Sequence, residues 1–254
     1  MHTGGSHVGM IYNRYAEVYD RSGQIHFSLR LIAYLAELLP RLGFDGDSAC
    51  DLACGTGTLA LSFAQRRWRA RGVDASAAML AEARRKAGEL GLRVEFSQQD
   101  MRSFTLPERV DLVTCCYDSV NYLLSPSDLA ATFSRVAGAL KPGGLFCCDA
   151  NTPWFYDNVH VGTHFAEGEG VAVAVRGTYD PETREAVAEL IGFVQRGELY
   201  ERFQETHLQR AHSEKEMRAA LAAAGLAEVA CYRCFGFDPP DSETTRQMWV
   251  ARQL

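Results

Sequence analysis

Asp51-Leu-Ala-Cys-Gly55-Thr-Gly57 follows an apolar run, and two acidic stations come after it, Val73-Asp74-Ala75-Ser76 with Met79 and then Gln99-Asp100-Met101. Residues 48–53 read as a first strand and a helix starts at Thr58, which puts Gly55 and Gly57 in the strand-to-helix turn. Glycine there lets backbone pass close to a ligand and adopt dihedrals closed to other residues. A second strand over 70–73 ends at Asp74, and a third over 93–97 is followed by Asp100. An acidic residue roughly 20 positions after a glycine turn is placed to accept hydrogen bonds from ribose hydroxyls. The stretch therefore describes the edge of a nucleoside-binding sheet.

Outward from it, strands and helices alternate. Upstream, a first helix is expected to hold Tyr12, Tyr15, Tyr19 and Asp20, and a longer one carries Phe27, Leu31, Leu35 and Leu38 as an apolar stripe. Ser76 can cap a helix that buries Met79, Ala83 and Ala87 and closes at Gly91. A fourth strand spans 110–115, a helix opens at Ser125-Pro126, and a fifth strand runs over 145–149. Such alternation implies a mostly parallel sheet with helices on both faces. From Asn151 the pattern changes to three long strands over 171–179, 185–194 and 199–210, joined by short turns and hence antiparallel. Ser213-x-x-Glu216 is a capping box, and strands over 226–234 and 247–253 close the chain.

Gly55-Thr-Gly57-Thr-Leu-Ala60 also satisfies the loose dinucleotide fingerprint, so a nicotinamide-dependent oxidoreductase is the nearest rival. Asp51 argues against it, because a carboxylate at the turn repels a pyrophosphate and suits an aminium. Asp100-Met101 after the third strand and Lys141-Pro-Gly-Gly144 before the fifth point the same way. Together these features resemble the class I S-adenosylmethionine-dependent methyltransferases, most closely over residues 48–151. The resemblance implies a Rossmann-like α/β fold with a doubly wound, mostly parallel seven-stranded sheet and an antiparallel β insertion after strand five. It divides the chain into a disordered start (1–10), N-terminal helices with the cofactor-binding part (11–150), the insertion over the site (151–212), and a closing helix with two strands (213–254).

Carried over residue by residue, the match implies that the turn through Ala53, Gly55 and Gly57 holds the methionine part of S-adenosylmethionine, with Asp51 near its amino group. Asp74, with Ala75 beside it, would bind the ribose; Met79 would pack on the adenine; Asp100 and Met101 would read its edge; Cys116 would line the site after strand four. Ala53 departs from the family, which more often has glycine there. Tyr117 to Tyr122, the tyrosine-rich start and the insertion further resemble small-molecule N-methyltransferases of the glycine and amino-sugar type. The Asn/Asp-Pro-Pro-aromatic motif of DNA-amine and glutamine methyltransferases is absent after strand four, and Asp238-Pro239-Pro240 reads as a turn between the last two strands.

A net charge of −6 with no block of Lys or Arg argues against a nucleic-acid substrate. No apolar run approaches the roughly 18 residues needed to span a membrane, and residues 1–10 lack the apolar centre of a signal peptide. Six of the eight cysteines fall in or beside apolar strands, as free thiols do in a reducing cytoplasm. The expected partner is a small-molecule acceptor.

Methyl transfer is an in-line displacement, so alignment and exclusion of water matter most. Tyr19 and Tyr117 are candidates for walls around the transferred methyl, and Trp154 and Phe155 for the acceptor side. On the third inserted strand Glu201, Phe203, Glu205 and His207 share one face by alternation. If that face covers the cleft, His207 could accept a proton and Glu205 orient it; a solvated face on an exposed hairpin is the competing reading. Asp118, Asp149 and Asn151 offer oxygen ligands for a metal-assisted O-methyltransferase, although no metal is expected. A binding protein that keeps the nucleoside site without turning over is the alternative from another class.

Overall fold

The computed structural model describes residues 11–254; the start at 1–10, expected to be disordered, lies outside them. In chain order the regular elements are α1 (Ile25–Arg41), β1 (Ser48–Leu52), α2 (Thr58–Gln65), β2 (Arg69–Asp74), α3 (Ala77–Glu89), β3 (Glu95–Gln98), β4 (Val110–Cys115), α4 (Pro126–Ala139), β5 (Leu140–Asn151), a one-turn α5 (Pro153–Phe155), β6 (Gly162–Gly168), β7 (Val171–Asp180), β8 (Glu185–Arg196), β9 (Leu199–Arg210), α6 (Glu214–Ala223), β10 (Leu226–Arg233) and β11 (Arg246–Gln253).

Seven strands form one sheet in the order β10-β11-β5-β4-β1-β2-β3. Neighbours from β3 to β5 are parallel, while β11 runs antiparallel to both β5 and β10. Strand order reverses between β1 and β4, and in such sheets ligands bind beyond the carboxyl ends at that point. Asp51, Asp74 and Cys115 all stand at those ends.

Burial explains the hold. One apolar layer joins Leu52, Val113, Phe133, Phe146 and Trp249 beneath α4 and α6. The opposite layer joins Leu31, Leu35, Leu38, Phe63, Leu145 and Val250 beneath α1 and α2. Fully burying a leucine or phenylalanine contributes roughly 1.5–3 kcal/mol, so these layers hold the strand ends that carry the acids. Ser76 caps α3 by accepting the N–H of Met79, and Ser213 with Glu216 closes the capping box of α6.

Two expectations change. The insertion has four strands, not three: β6 pairs antiparallel with β7 at the edge of a sheet ordered β6-β7-β8-β9. Gly162-Thr-His-Phe-Ala-Glu-Gly168 is exposed almost throughout and lacks apolar alternation, so it depends on pairing with β7 rather than on its own pattern. The tyrosine-rich start is not an α-helix. It is a 3₁₀ turn at Tyr15–Val18 and a π turn at Asp20–Gln24. Gly23 at φ 92° and Tyr12 at φ 63° break any continuous helix. Tyr15 and Val18 instead pack on Val171, Val173, Leu190, Val194 and Phe203 of the four-stranded sheet.

Candidate functional site

A cleft opens at the carboxyl ends of the strands. Asp51, Ala53, Gly55, Asp74, Ala75, Met79, Asp100, Met101 and Cys116 line it, so the fold brings together nine of the ten residues expected to hold the cofactor. Gly57 stands one layer behind. At φ 76° it precedes α2, and a Cβ there would lie 2.8 Å from Ala83 and 3.0 Å from the Phe96 ring, so its lack of a side chain lets the turn close on α3 and β3. Ala53 itself adopts φ 57°, a left-handed conformation that costs an alanine about 1–2 kcal/mol.

Asp51 is 4% exposed. Its Oδ1 accepts the Thr114 hydroxyl at 2.7 Å, and no Lys or Arg among the described residues pairs with it. Burial, reinforced by the nearby charge of Asp74, pushes its carboxyl up to about 7 against the pull of Thr114. Asp74, which lines the cleft, accepts the backbone N–H groups of Gly55 and Ser76, each at 2.8 Å, and so shapes the glycine turn. Burial raises its pKa as well, against those backbone bonds. Asp100 differs from the expectation in one respect: Arg102 grips its carboxylate with Nε at 2.9 Å and Nη2 at 2.5 Å, and this pairing lowers its pKa. It meets the cleft as half of an ion pair.

Uncompensated buried acids beside a glycine turn, an apolar floor at Met79 and a second acidic station suit a nucleoside that carries a cationic tail. A pyrophosphate would meet Asp51 and Asp74 as like charges.

A second cavity lies between the sheet ends and the inner face of β7–β9. It shares Tyr12, Tyr19, Tyr117 and Tyr122 with the first, so four tyrosines stand where the two spaces meet. Tyr19 packs edge-on to Tyr12 and Tyr15, with centroids 5.9 and 5.3 Å apart. Tyr117 stacks on Phe27 at 4.0 Å and donates its hydroxyl to Gln24. Phe155 lines this cavity; Trp154 does not.

The face of β9 is turned inward, which overturns the solvated-hairpin reading. Phe203, Glu205, His207 and Gln209 are all buried, and only Glu201 stays accessible, paired with Arg14 and Arg196. Burial of the face comes from the N-terminal segment, because Glu205 accepts the backbone N–H groups of Tyr12, Arg14 and Tyr15 at 2.7, 2.9 and 3.1 Å.

Asp118 and Asp149, the oxygen pair considered for a metal, are both held by Arg246. That guanidinium lies 4.7 Å over the Phe27 ring and 5.5 Å over Tyr117. Asp149 also accepts the N–H groups of Tyr117 and Asp118, which sit in succession at φ 62° and 51°. A carboxylate behind two left-handed residues offsets their strain and aims the Tyr117 ring. Arg246 was not foreseen: it opens a strand after an irregular loop, with no motif around it. Gln209, whose amide donates to Asp118 at 2.6 Å, was legible in principle as the next member of the alternating face.

Among known proteins, residues 49–144 match the family described as methyltransferase domain. The chain is 31% identical to the dTDP-3-amino-3,6-dideoxy-alpha-D-glucopyranose N,N-dimethyltransferase of Streptomyces fradiae, over 84% of this chain and 83% of that protein. It is 29% identical to YqeM of Bacillus subtilis (strain 168), a provisionally assigned methyltransferase, over 96% of this chain and 98% of that protein. The crystal structure of an S-adenosylmethionine-dependent methyltransferase from Clostridium acetobutylicum ATCC 824 superposes with a TM-score of 0.84 at 27% identity, over 95% of this chain and 98% of that one. Sheet order, acid stations and relatives agree: the chain belongs to the S-adenosylmethionine-dependent methyltransferases. It is an enzyme of that class with S-adenosylmethionine as its cofactor. Among the described residues no helix is long and apolar enough to cross a membrane.

Proposed function

We propose that this methyltransferase acts in the cytoplasm on a nitrogen of a small-molecule amine, with an oxygen acceptor as second choice, and that residues 151–212 form the cover of its acceptor site. The observation that carries this reading is the second cavity, which meets the cofactor cleft at four tyrosines. Its walls are aromatic, and Asp118, the one acid among its lining residues, is paired with Arg246. Electron-rich rings favour a cationic or amine ligand. Support also comes from relatives named as amino-sugar N,N-dimethyltransferases. The eight free cysteines accord with a reducing compartment.

Bound S-adenosylmethionine supplies an electrophilic methyl group on a sulfonium. In this reading Asp74 holds the ribose and Asp51 the aminium, with Ala53, Gly55 and Gly57 giving the backbone room. Met79, Met101 and Cys116 cover the nucleoside. Tyr19 and Tyr117 wall the gap between the cavities and exclude water from the line of transfer, and His207 receives the proton that the acceptor nitrogen loses.

A panel of amino sugars, amino acids, simple amines and matched alcohols, assayed for S-adenosylhomocysteine formation, tests it. Turnover confined to amines is expected. Asp74→Ala and Gly57→Val should abolish S-adenosylhomocysteine binding in calorimetry, the first by loss of the ribose contact and the second by collision with Ala83 and Phe96. Turnover of alcohols alone would overturn the choice of nitrogen.

A further inference from the structure

Four side chains outside the cofactor cleft's acid stations form one continuous hydrogen-bonded line. Tyr12 Oη lies 2.6 Å from Tyr122 Oη, Tyr122 Oη 3.0 Å from His207 Nδ1, and His207 Nε2 3.2 Å from Glu205 Oε2. The ends differ in kind. Glu205 is anchored inside the fold by three backbone N–H groups, whereas Tyr12 borders both cavities.

The chemistry of the anchored end sets the sense of every bond. Glu205 holds four donors on its two oxygens and serves only as an acceptor. His207 Nε2 must then carry the proton, which leaves Nδ1 as a lone pair that accepts from Tyr122. Tyr122, having spent its hydroxyl proton on His207, accepts from Tyr12. Tyr12 donates inward and presents its remaining lone pair toward the place where the cavities meet. Its φ of 63°, unfavourable for a bulky residue, is held by the Glu205 bond to its own N–H, so one carboxylate fixes both ends of the line.

We propose that Tyr12, Tyr122 and His207, positioned by Glu205, form a one-way relay that carries the acceptor's proton from the transfer point to His207. The inference rests on the N-methylation reading. The step is a proton transfer alone. An N–H bond breaks at the bound ammonium and leaves its electron pair on nitrogen, where methylation uses it. Tyr12 gains that proton as its own passes to Tyr122, and Tyr122 passes its proton to His207 Nδ1. The resulting imidazolium faces the Glu205 carboxylate and returns the proton to water once the site opens. Burial holds the tyrosine hydroxyls well above their ordinary range, so they hand protons on and do not store charge. The Glu205 carboxyl is desolvated, yet the His207 and backbone N–H bonds bring it below its usual value, keeping it anionic. Other groups facing the line are Asp118, neutralised by Arg246, and the hydroxyls of Tyr15, Tyr19, Tyr117 and Tyr156. Tyr12 is the catalytic residue of the set and Glu205 the positioning one.

Nitrogen-15 NMR of histidine-labelled protein with S-adenosylhomocysteine bound reads the sense of the line without any acceptor. The expected result is His207 protonated on Nε2, with an Nδ1 resonance that Tyr122→Phe moves toward the unbonded position. A proton on Nδ1 would overturn the relay. With an amine that the panel identifies, His207→Gln should lower kcat by about 10²–10³-fold, while KM for S-adenosylmethionine moves less than about threefold. An unaltered kcat in that variant would also overturn it. Failure of every amine in the panel would sink the N-methylation reading, whereas amine turnover with the wrong tautomer sinks the relay alone.

Discussion

Asp51 carries the most direct acid–base consequence of the site. Its carboxyl titrates near 7 in the free protein because burial strips its water and Thr114 returns only part of that solvation. The folded value lies above the unfolded one, so its contribution to stability is complete below about pH 4 and is lost as pH rises through about 7. A ligand aminium reverses the balance by favouring the carboxylate. Binding of S-adenosylhomocysteine should therefore release close to one proton at pH 6 and almost none at pH 8.5, read by calorimetry in buffers of different ionisation heat. Its affinity should weaken by close to tenfold per unit as pH falls below about 7, and Asp51→Asn should remove that slope. The residue's place at the cleft is legible from the Asp-x-x-x-Gly-x-Gly spacing. Its lack of a counter-ion was not, because that depends on which side chains of β2 and β4 reach it.

Among the elements, the loop after β4 is the most dependent on partners far away in sequence. Tyr117 and Asp118 adopt left-handed dihedrals because Asp149 of β5 accepts both of their N–H groups, and Arg246 of β11 neutralises the two carboxylates. Asp149→Ala would leave Arg246 half-paired in a buried setting and the loop without its anchor. A stability loss of about 3–5 kcal/mol is expected in urea unfolding. The elements whose signals were local came through intact: the Ser76 cap, Pro126 at the start of α4 and the Ser213–Glu216 box. β6 is not legible in the sequence because an edge strand exposed on both faces has no alternation to read, and the N-terminal segment reads as a helix because a tyrosine spacing near four suits a 3₁₀ turn followed by a π turn as well as it suits an α-helix.

At the scale of the whole molecule, the N-terminal segment joins the two sheets together with the Gln209–Asp118 bond between β9 and the loop after β4. Its Tyr15 and Val18 pack on β7–β9, its backbone donates to Glu205, and its Asp20 ties down the glycine turn. Asp20 accepts Lys86 Nζ at 2.6 Å and the Thr56 hydroxyl at 2.8 Å, and Lys86 also donates to Thr58 at 2.8 Å. Releasing that latch should loosen the cover without dismantling either sheet. Asp20→Ala is expected to speed S-adenosylhomocysteine release by on the order of tenfold, the equivalent of one charge-assisted hydrogen bond of roughly 1.5 kcal/mol. It should also raise amide exchange across residues 11–24; stopped-flow release and hydrogen exchange check the two effects.

The order of glycines and acids along residues 51–100 determined the sheet edge, because each acid is bound to its own strand end by local geometry, and together with Lys141-Pro-Gly-Gly144 and the closing strands it carried the resemblance that implies the cofactor. The meeting of Tyr12, Tyr122 and His207 over a common space was decided only by the tertiary structure. Tyr12 and Glu205 are 193 residues apart and Asp118 and Arg246 are 128 apart, and hydrophobic periodicity records which face of an element is buried but not what it is buried against.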